Sequence, residues 1–177
     1  MQLQGENVYL RALEPEDLEF LYQLENNSDY WHLSNTQAPY SKFAIKQYLE
    51  RSLSEDIFAL RELRLIICST KDNSKIGIID LVNFDPKHKR AEIGIIIYNP
   101  SDRGFGYGSE SLEILINYAF DILHLHQLYC DVLSDNKESI NLFLNKNFKE
   151  IGLKKDWNFN GQNYTDQILF QLINPNN

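Results

Sequence analysis

The sequence has few cysteines, few basic residues and no long apolar run, and each shortage excludes a class of protein. Cys68 and Cys130 are the only cysteines among 177 residues, which excludes a disulfide framework and a clustered cysteine metal site. Acidic residues number 25 against 17 basic ones, a formal net charge of -8, so no nucleic-acid partner is expected. The same acidic excess favours a cationic partner.

The apolar runs are too short to cross a bilayer, and the first residues lack the apolar core of a signal peptide. We therefore expect no membrane partner and a cytoplasmic location. No metal site is predicted, because no carboxylates or cysteines stand at ligand spacing from the histidines, which are His32, His88, His124 and His126. With 43% hydrophobic residues and no linker-like stretch, we expect a single domain over residues 1–177.

Strand-like patterns recur along the chain. The turn signal Asn160-Gly161 predicts a closing hairpin of two strands. Five further strands are predicted from apolar or alternating runs at residues 8–12, 63–69, 76–82, 91–98 and 128–133. The run at 91–98 is too continuously apolar for a strand with one wet face, so we expect it in the centre of the sheet.

Helical spacing of apolar residues is found in four segments. Pro15 favours the start of the first helix, and Ser41 can cap the second, whose apolar face is predicted to hold Ile45, Tyr48, Leu49 and Leu53. The third helix follows Gly108 and lies between two strands, and Asp135 or Asn136 can cap the fourth. Residues 26–40 predict a polar and aromatic loop.

The segment between the central strand and the third helix contains three alternating glycines, Gly104, Gly106 and Gly108. Glycine tolerates positive backbone torsions and lets a ligand approach the main chain. Successive N–H groups can therefore point at an anion on the helix N-terminus, as at other phosphate-binding helix starts. The ligand that this arrangement suits is a pyrophosphate.

Three other interpretations of this loop compete with a pyrophosphate site. A P-loop requires a Gly-Lys-Ser or Gly-Lys-Thr sequence, and the chain has neither. A dinucleotide-binding loop requires a third glycine where Ser109 stands, and it opens a parallel unit instead of following antiparallel hairpins. The third alternative is that the glycines only relieve steric strain at the start of a helix.

The hexapeptide Arg103-Gly104-Phe105-Gly106-Tyr107-Gly108 resembles the acetyl-coenzyme A signature of the GNAT N-acetyltransferases. The resemblance extends from residues 10–13 through Ala91-Glu92 to the closing hairpin. Within that superfamily the chain is most similar to the branch of spermidine/spermine and ribosomal-protein N-terminal acetyltransferases, notably at residues 122–126 and 135–139.

The resemblance implies an α/β fold with a mixed, mostly antiparallel central sheet, helices on both faces and a splayed pair of strands for coenzyme A. Acetyl-CoA is then the acetyl donor. Its pantetheine arm would pair with Ile95, Ile96 and Ile97 in strand-addition fashion, and its pyrophosphate would lie on the loop from Arg103 to Gly108. Asn136 matches a cofactor-contacting asparagine, although it can equally be a helix cap.

The resemblance also implies a general base, because an alkyl amine with a pKa of about 10.4 is protonated at neutral pH. Glu92 matches a family position close to the substrate and is the predicted base; the alternative is a structural carboxylate paired with Arg90 or with a backbone amide. Many relatives protonate the leaving thiolate with a tyrosine where this chain has Phe143. Tyr129, Ser134 or water could substitute for it.

The predicted acceptor is a primary amine that is cationic in solution: a protein N-terminus, a polyamine or another small cationic amine. In relatives the loop that here contains Tyr30, Trp31 and Tyr40 helps to line the acceptor site. Polyamine-binding relatives carry several acids there, whereas this chain has Asp29 and then the neutral residues 34–38. The alternative function is a catalytically weak or inactive acyl-CoA-binding module, and the sequence leaves a homo-oligomer open.

Overall fold

The computed structural model describes residues 3–34 and 36–176, and in this part of the chain seven strands form one sheet. The strands are β1 (Val8–Ala12), β2 (Leu63–Ser69), β3 (Lys75–Asp85), β4 (Arg90–Ile97), β5 (Gln127–Leu133), β6 (Lys149–Phe159) and β7 (Tyr164–Ile173). Their order in the sheet is β1-β2-β3-β4-β5-β7-β6. Strands β4 and β5 pair in parallel and the other neighbours pair antiparallel, which confirms the mixed, mostly antiparallel sheet.

The α-helices in the described part of the chain are α1 (Leu18–Glu25), α2 (Trp31–Ser34), α3 (Lys42–Ser54), α4 (Ile57–Leu60), α5 (Tyr107–Asp121) and α6 (Lys137–Asn145). Ser41 caps α3 as predicted, because its side chain accepts a hydrogen bond from the Ala44 amide at 3.1 Å. Asn136, and not Asp135, caps α6, with Oδ1 accepting from the Ser139 amide at 3.1 Å.

Helices cover both faces of the sheet, as predicted. On one face Leu112 and Leu115 of α5 and Phe143 of α6 join a core with Ile79 and Phe170. On the other face the side chains of α1 and α3 pack on β2 and β3 in a smaller core that includes Leu21, Leu49, Ile66 and Ile78. Cys68 and Cys130 are buried free thiols, one in each core.

Three sequence predictions need correction. Residues 26–40 are not only loop, because Ser28–Tyr30 form a 3-10 turn that leads into α2. Leu53 is 46% exposed, since the last turn of α3 extends beyond the core that holds the rest of its apolar face. Strand β4 is central, but its run 95–97 is only half-buried, because β4 and β5 diverge there.

The two final strands meet at Asn160-Gly161, as predicted. The connection contains four residues instead of two, and Gly161 adopts a positive φ of 95°. The Asn160 side chain accepts from the amides of Gln162 and Asn163, which holds the longer turn. Among the helices of residues 3–34 and 36–176, none combines the length and apolar character that a membrane crossing requires.

Candidate active site

The site lies at a split in the centre of the sheet. Strands β4 and β5 are paired over three residues, from Arg90 with Gln127 to Glu92 with Tyr129, although both strands continue beyond this point. The separated ends leave backbone groups of β4 without a strand partner on that side. Two cavities meet at this split, and each contains part of the predicted site.

The larger cavity, of about 690 Å³, is called the donor cleft here. Its walls come from the end of β4, the glycine loop, the start of α5 and the start of α6. The structure brings together most of the predicted cofactor residues in this cleft, namely Ile95, Ile96, Ile97, Arg103, Gly104, Gly106, Tyr107, Gly108 and Asn136.

Two of the three glycines have the positive backbone torsions that the sequence predicted, whereas Gly108 already lies in helix α5 without one. Gly104 and Gly106 both have φ of +83°, which disfavours any residue with a Cβ, and an added Cβ would meet nothing within 4 Å. Their conformation, not crowding, therefore requires glycine. Helix α5 begins directly afterwards at Tyr107, so its first N–H groups, which have no intrahelical acceptor, face the cleft with the positive end of the helix dipole. This end can bind an anion.

Phe105 is the predicted cofactor residue that does not line the donor cleft, whereas Arg103 lines it and is bound by neighbouring groups. Phe105 is 68% exposed and stacks on Tyr107, with ring centroids 6.0 Å apart. Arg103 donates from Nη2 to the Tyr30 hydroxyl at 3.1 Å and to the Ile97 carbonyl at 3.3 Å. The Tyr30 hydroxyl in turn donates to the Tyr98 carbonyl. Arg103 thus fastens the loop to the end of β4 and to the segment before α2.

The second cavity, of about 350 Å³, is called the acceptor cavity here. It extends from the split toward α1 and α2 and is lined by four carboxylates and one guanidinium, those of Glu25, Asp80, Glu92, Asp131 and Arg64. Arg64 is mostly buried and donates to both oxygens of Asp80 at 3.0 and 2.9 Å, and to Glu25 at 2.6 Å. Arg64 and Lys154, which pairs with Asp131 from β6, are two cations against four carboxylates, so an excess of negative charge remains and the cavity favours a cationic ligand.

Glu92 lies in this cavity at the last paired position of β4. Burial raises the pKa of its carboxyl group; the hydrogen bond from Asn83 Nδ2, at 2.7 Å, opposes this, and the nearby Asp131 charge adds to it. The predicted alternative pairing with Arg90 is wrong. Arg90 instead faces Asp85 across the β3–β4 hairpin and approaches it at 3.4 Å. A partly buried carboxylate with a raised pKa is suited to accept a proton.

The junction of the two cavities contains polar groups that the sequence only partly indicated. Asn136 lines both cavities, so the confirmed role as helix cap and the predicted cofactor contact are compatible in position. Tyr30 and Ser139 also line both cavities, whereas the suggested proton donors Tyr129 and Ser134 are not among the lining residues. Phe143 borders the acceptor cavity, is 3% exposed and packs edge-on against Phe148.

Of the three aromatic residues predicted near the acceptor site, two line the acceptor cavity and one is exposed to solvent. Tyr30 is 7% exposed, and Trp31 donates from its indole N–H to the Glu25 carbonyl at 2.9 Å; both line the acceptor cavity. Tyr40 is 43% exposed. The predicted neutral stretch 34–38 includes residue 35, which lies outside the described residues.

Comparisons with known proteins agree with this geometry. Residues 7–149 match the family described as Acetyltransferase (GNAT) domain. The spermidine N(1)-acetyltransferase of Escherichia coli K12 is 32% identical over 172 residues, which cover 93% of this chain and 87% of that protein. The crystal structure of spermidine N-acetyltransferase from Vibrio cholerae in complex with CoA and spermine has a TM-score of 0.84 at 25% identity, covering 94% of this chain and 95% of that one. A dodecameric structure of the Vibrio cholerae enzyme has a TM-score of 0.78 at 27% identity, covering 94% and 93%.

Proposed function

Because this chain belongs to the GNAT family of acetyltransferases and is an acetyl-CoA-dependent N-acetyltransferase, we propose that its acceptor is a polyamine, acetylated at a primary amine. The observation that carries the proposal is the carboxylate-lined acceptor cavity, which joins the donor cleft at the split in the sheet. The name and bound ligands of the relatives described above support the same substrate class.

Charge is the main argument for a polyamine over a protein N-terminus. An α-amino group has a pKa of about 8 and carries at most one charge, whereas a polyamine carries several charged nitrogens on a thin alkyl chain. A cavity of about 350 Å³ with four carboxylates suits such a narrow polycation better than a peptide backbone. The acids come from α1, β3, β4 and β5, so the neutral stretch at residues 34–38 does not weaken the proposal.

For the donor, we propose that the pyrophosphate of acetyl-CoA binds the N–H groups at the start of α5 and that the pantetheine arm runs along residues 95–97 of β4. The arm contains amide groups that can pair with an unpaired strand edge. The Ile96 backbone groups point to β3, where Ile96 pairs with Ile78, and the Ile97 carbonyl already accepts from Arg103. The free part of this edge is therefore at Ile95 and at the Ile97 N–H. The thioester would then reach the junction beside Asn136.

The proposed reaction starts with removal of a proton from the bound ammonium group by Glu92, directly or through water. The neutral amine attacks the thioester carbonyl, the C–N bond forms, and the C–S bond breaks as the tetrahedral intermediate collapses. The second amine proton passes to water in this step, and the coenzyme A thiolate departs with the electron pair of the C–S bond. Phe143 has no hydroxyl to protonate it, but a thiol pKa of about 8.5 makes thiolate a tolerable leaving group near pH 8.

We also propose that the chain assembles with copies of itself through the β6–β7 hairpin. This hairpin exposes large apolar side chains that are each between 48% and 62% accessible, those of Ile151, Leu153, Trp157, Phe159 and Tyr164. An apolar patch of this kind on a strand pair at the sheet edge is typical of a protein interface. Light scattering should give a mass that is a multiple of the chain mass; a monomer at micromolar concentration would contradict this part of the proposal.

An amine panel with detection of released thiol tests the acceptor. Spermidine, spermine, an aminoglycoside and a peptide with a free N-terminus are compared as kcat/KM at saturating acetyl-CoA, and mass spectrometry locates the acetyl group. We expect spermidine or spermine to exceed the peptide by at least about tenfold, which corresponds to ~1.4 kcal/mol of transition-state binding. A preference for the peptide, or for the aminoglycoside, would overturn the polyamine assignment.

A further inference from the structure

Asp131 is one of the four carboxylates that line the acceptor cavity, and the proposed chemistry does not use it. Asp131 is two residues beyond Tyr129 on β5, and Tyr129 pairs with Glu92, so Asp131 and Glu92 project from the same face of the sheet. Asp131 also lies beyond the point where β4 and β5 separate. The β4 residue at the corresponding level is Gly94, which has no side chain to fill the space.

The two oxygens of Asp131 have different surroundings. Oδ2 accepts from Lys154 Nζ at 2.7 Å, across strand β7. Oδ1 is buried and has no hydrogen-bond partner among the described residues. A buried carboxylate oxygen without a donor is unfavourable, and most such oxygens in native proteins accept a hydrogen bond from the protein, from water or from a bound group. This oxygen is therefore placed to accept a hydrogen bond from a ligand in the cavity.

Lys154 neutralises part of the charge of Asp131 and donates a hydrogen bond to only one of its two oxygens. Its side chain is 32% exposed, and its ammonium group also lies 5.3 Å from the ring centroid of Trp157, itself 61% exposed. One ammonium group at one oxygen reduces the net charge of the pair but leaves Oδ1 unsatisfied. A second ammonium group, brought by the acceptor, would complete the carboxylate's hydrogen bonds and compete with Lys154 for its charge.

We propose that Asp131 binds a cationic nitrogen of the acceptor adjacent to the amine that is acetylated, and that Lys154 weakens this binding. The inference rests on the proposed polyamine function and adds a specificity-determining residue to it. Two residues along a strand rise about 6.6 Å, so Asp131 and Glu92 are separated by a distance that a few carbon atoms can bridge. Asp131 would then distinguish polyamines from monoamines of similar length.

Two substitutions should act in opposite directions. Asp131→Asn keeps the shape of the side chain and removes its charge; we expect KM for spermidine to rise about tenfold or more, with KM for acetyl-CoA unchanged. Lys154→Met frees Asp131 from its competitor, so KM for spermidine should fall several-fold. In the double variant the effect of Lys154→Met should vanish, because the two residues act through one carboxylate.

The matched control is Asp121→Asn, which removes one negative charge from the exposed end of α5. It should leave KM for spermidine unchanged, and hexylamine should show little response to Asp131→Asn. The assays are run at pH 8, well above the ordinary range of carboxyl pKa values. Thermal unfolding of each variant establishes that it is folded.

A purely structural ion pair makes a different prediction: both single substitutions would loosen the same wall and change KM in the same direction. That result, or an unchanged KM for spermidine in Asp131→Asn, would overturn the inference. The proposed function would still stand if the unchanged protein acetylates spermidine. If spermidine is not acetylated, the proposed function fails, and calorimetric titration of spermidine still tests Asp131. Equal spermidine affinity for the unchanged protein and for Asp131→Asn, or no spermidine binding to either, would then overturn the inference.

Discussion

Replacing Glu92 with glutamine removes the proposed base and keeps the size of the side chain and its hydrogen bond from Asn83, which measures 2.7 Å. General-base catalysis typically contributes 10²- to 10⁴-fold. We therefore expect kcat to fall by about 10²- to 10⁴-fold, or ~3–5 kcal/mol in activation free energy, while KM for acetyl-CoA stays unchanged. Glu50→Gln, on the exposed surface of α3, is the control and should retain full activity.

The pH dependence gives the same prediction a second readout. Because burial raises the pKa of Glu92 in the folded protein, kcat/KM should rise through an acid limb that lies above the ordinary glutamate value of about 4.3. This limb should be lost in Glu92→Gln. A raised carboxyl pKa also means that the folded state is penalised once Glu92 ionises, so the variant should have a higher Tm than the unchanged protein at pH 8.

Asn83→Gly tests how the surroundings of Glu92 set its pKa while Glu92 itself is kept. Asn83 has φ of 50°, a conformation that glycine adopts without strain, and the substitution removes the donor that favours ionised Glu92. The pKa of Glu92 should rise further and move the acid limb to higher pH, with the plateau rate retained. An unchanged rate and an unchanged pH profile in Glu92→Gln would refute the assignment of the base.

Three further predictions concern the loop, the missing hydroxyl and acid stability. Gly106→Ala forces a Cβ into φ of +83° at a cost of about 1–2 kcal/mol, so KM for acetyl-CoA should rise with little change in KM for the amine; equal changes would contradict a donor-specific role. Phe143→Tyr should raise kcat without tightening acetyl-CoA binding if thiolate protonation limits turnover, and an unchanged kcat would show that it does not. Asp17 is buried, which opposes ionisation, yet hydrogen bonds from Arg11, Lys75 and the Glu14 amide lower its pKa to about 2. Its stabilisation is therefore lost as pH falls from about 4 to about 2, and Asp17→Asn should flatten this part of a Tm-against-pH curve; an unchanged curve would contradict it.

The strands of the sheet could be predicted because each has a local pattern of apolar residues in the sequence. Strands β1 and β2 begin and end at the predicted residues, since apolar and alternating runs there are bounded by polar turns. The half-burial of residues 95–97 was not predictable in the same way. A continuous apolar run normally indicates burial on both faces, and only the divergence of β4 from β5 exposes it to the donor cleft.

The polar network of the site was less accessible to sequence reasoning. The glycine loop is local in sequence, so positive φ values could be anticipated there, although only Gly104 and Gly106, and not Gly108, adopt them. The link from Arg103 to Tyr30 joins residues 73 positions apart, and the pair of Asp131 with Lys154 crosses an intervening strand. Such contacts depend on tertiary arrangement, and no local pattern marks them.

The central claim is that donor and acceptor meet at the split between β4 and β5. A crystal structure with coenzyme A and spermidine bound tests it most directly. The account predicts pyrophosphate oxygens within hydrogen-bonding distance of the amides at the start of α5, and a spermidine nitrogen between Glu92 and the donor sulfur. Coenzyme A bound away from the glycine loop, or spermidine outside the carboxylate-lined cavity, would contradict it.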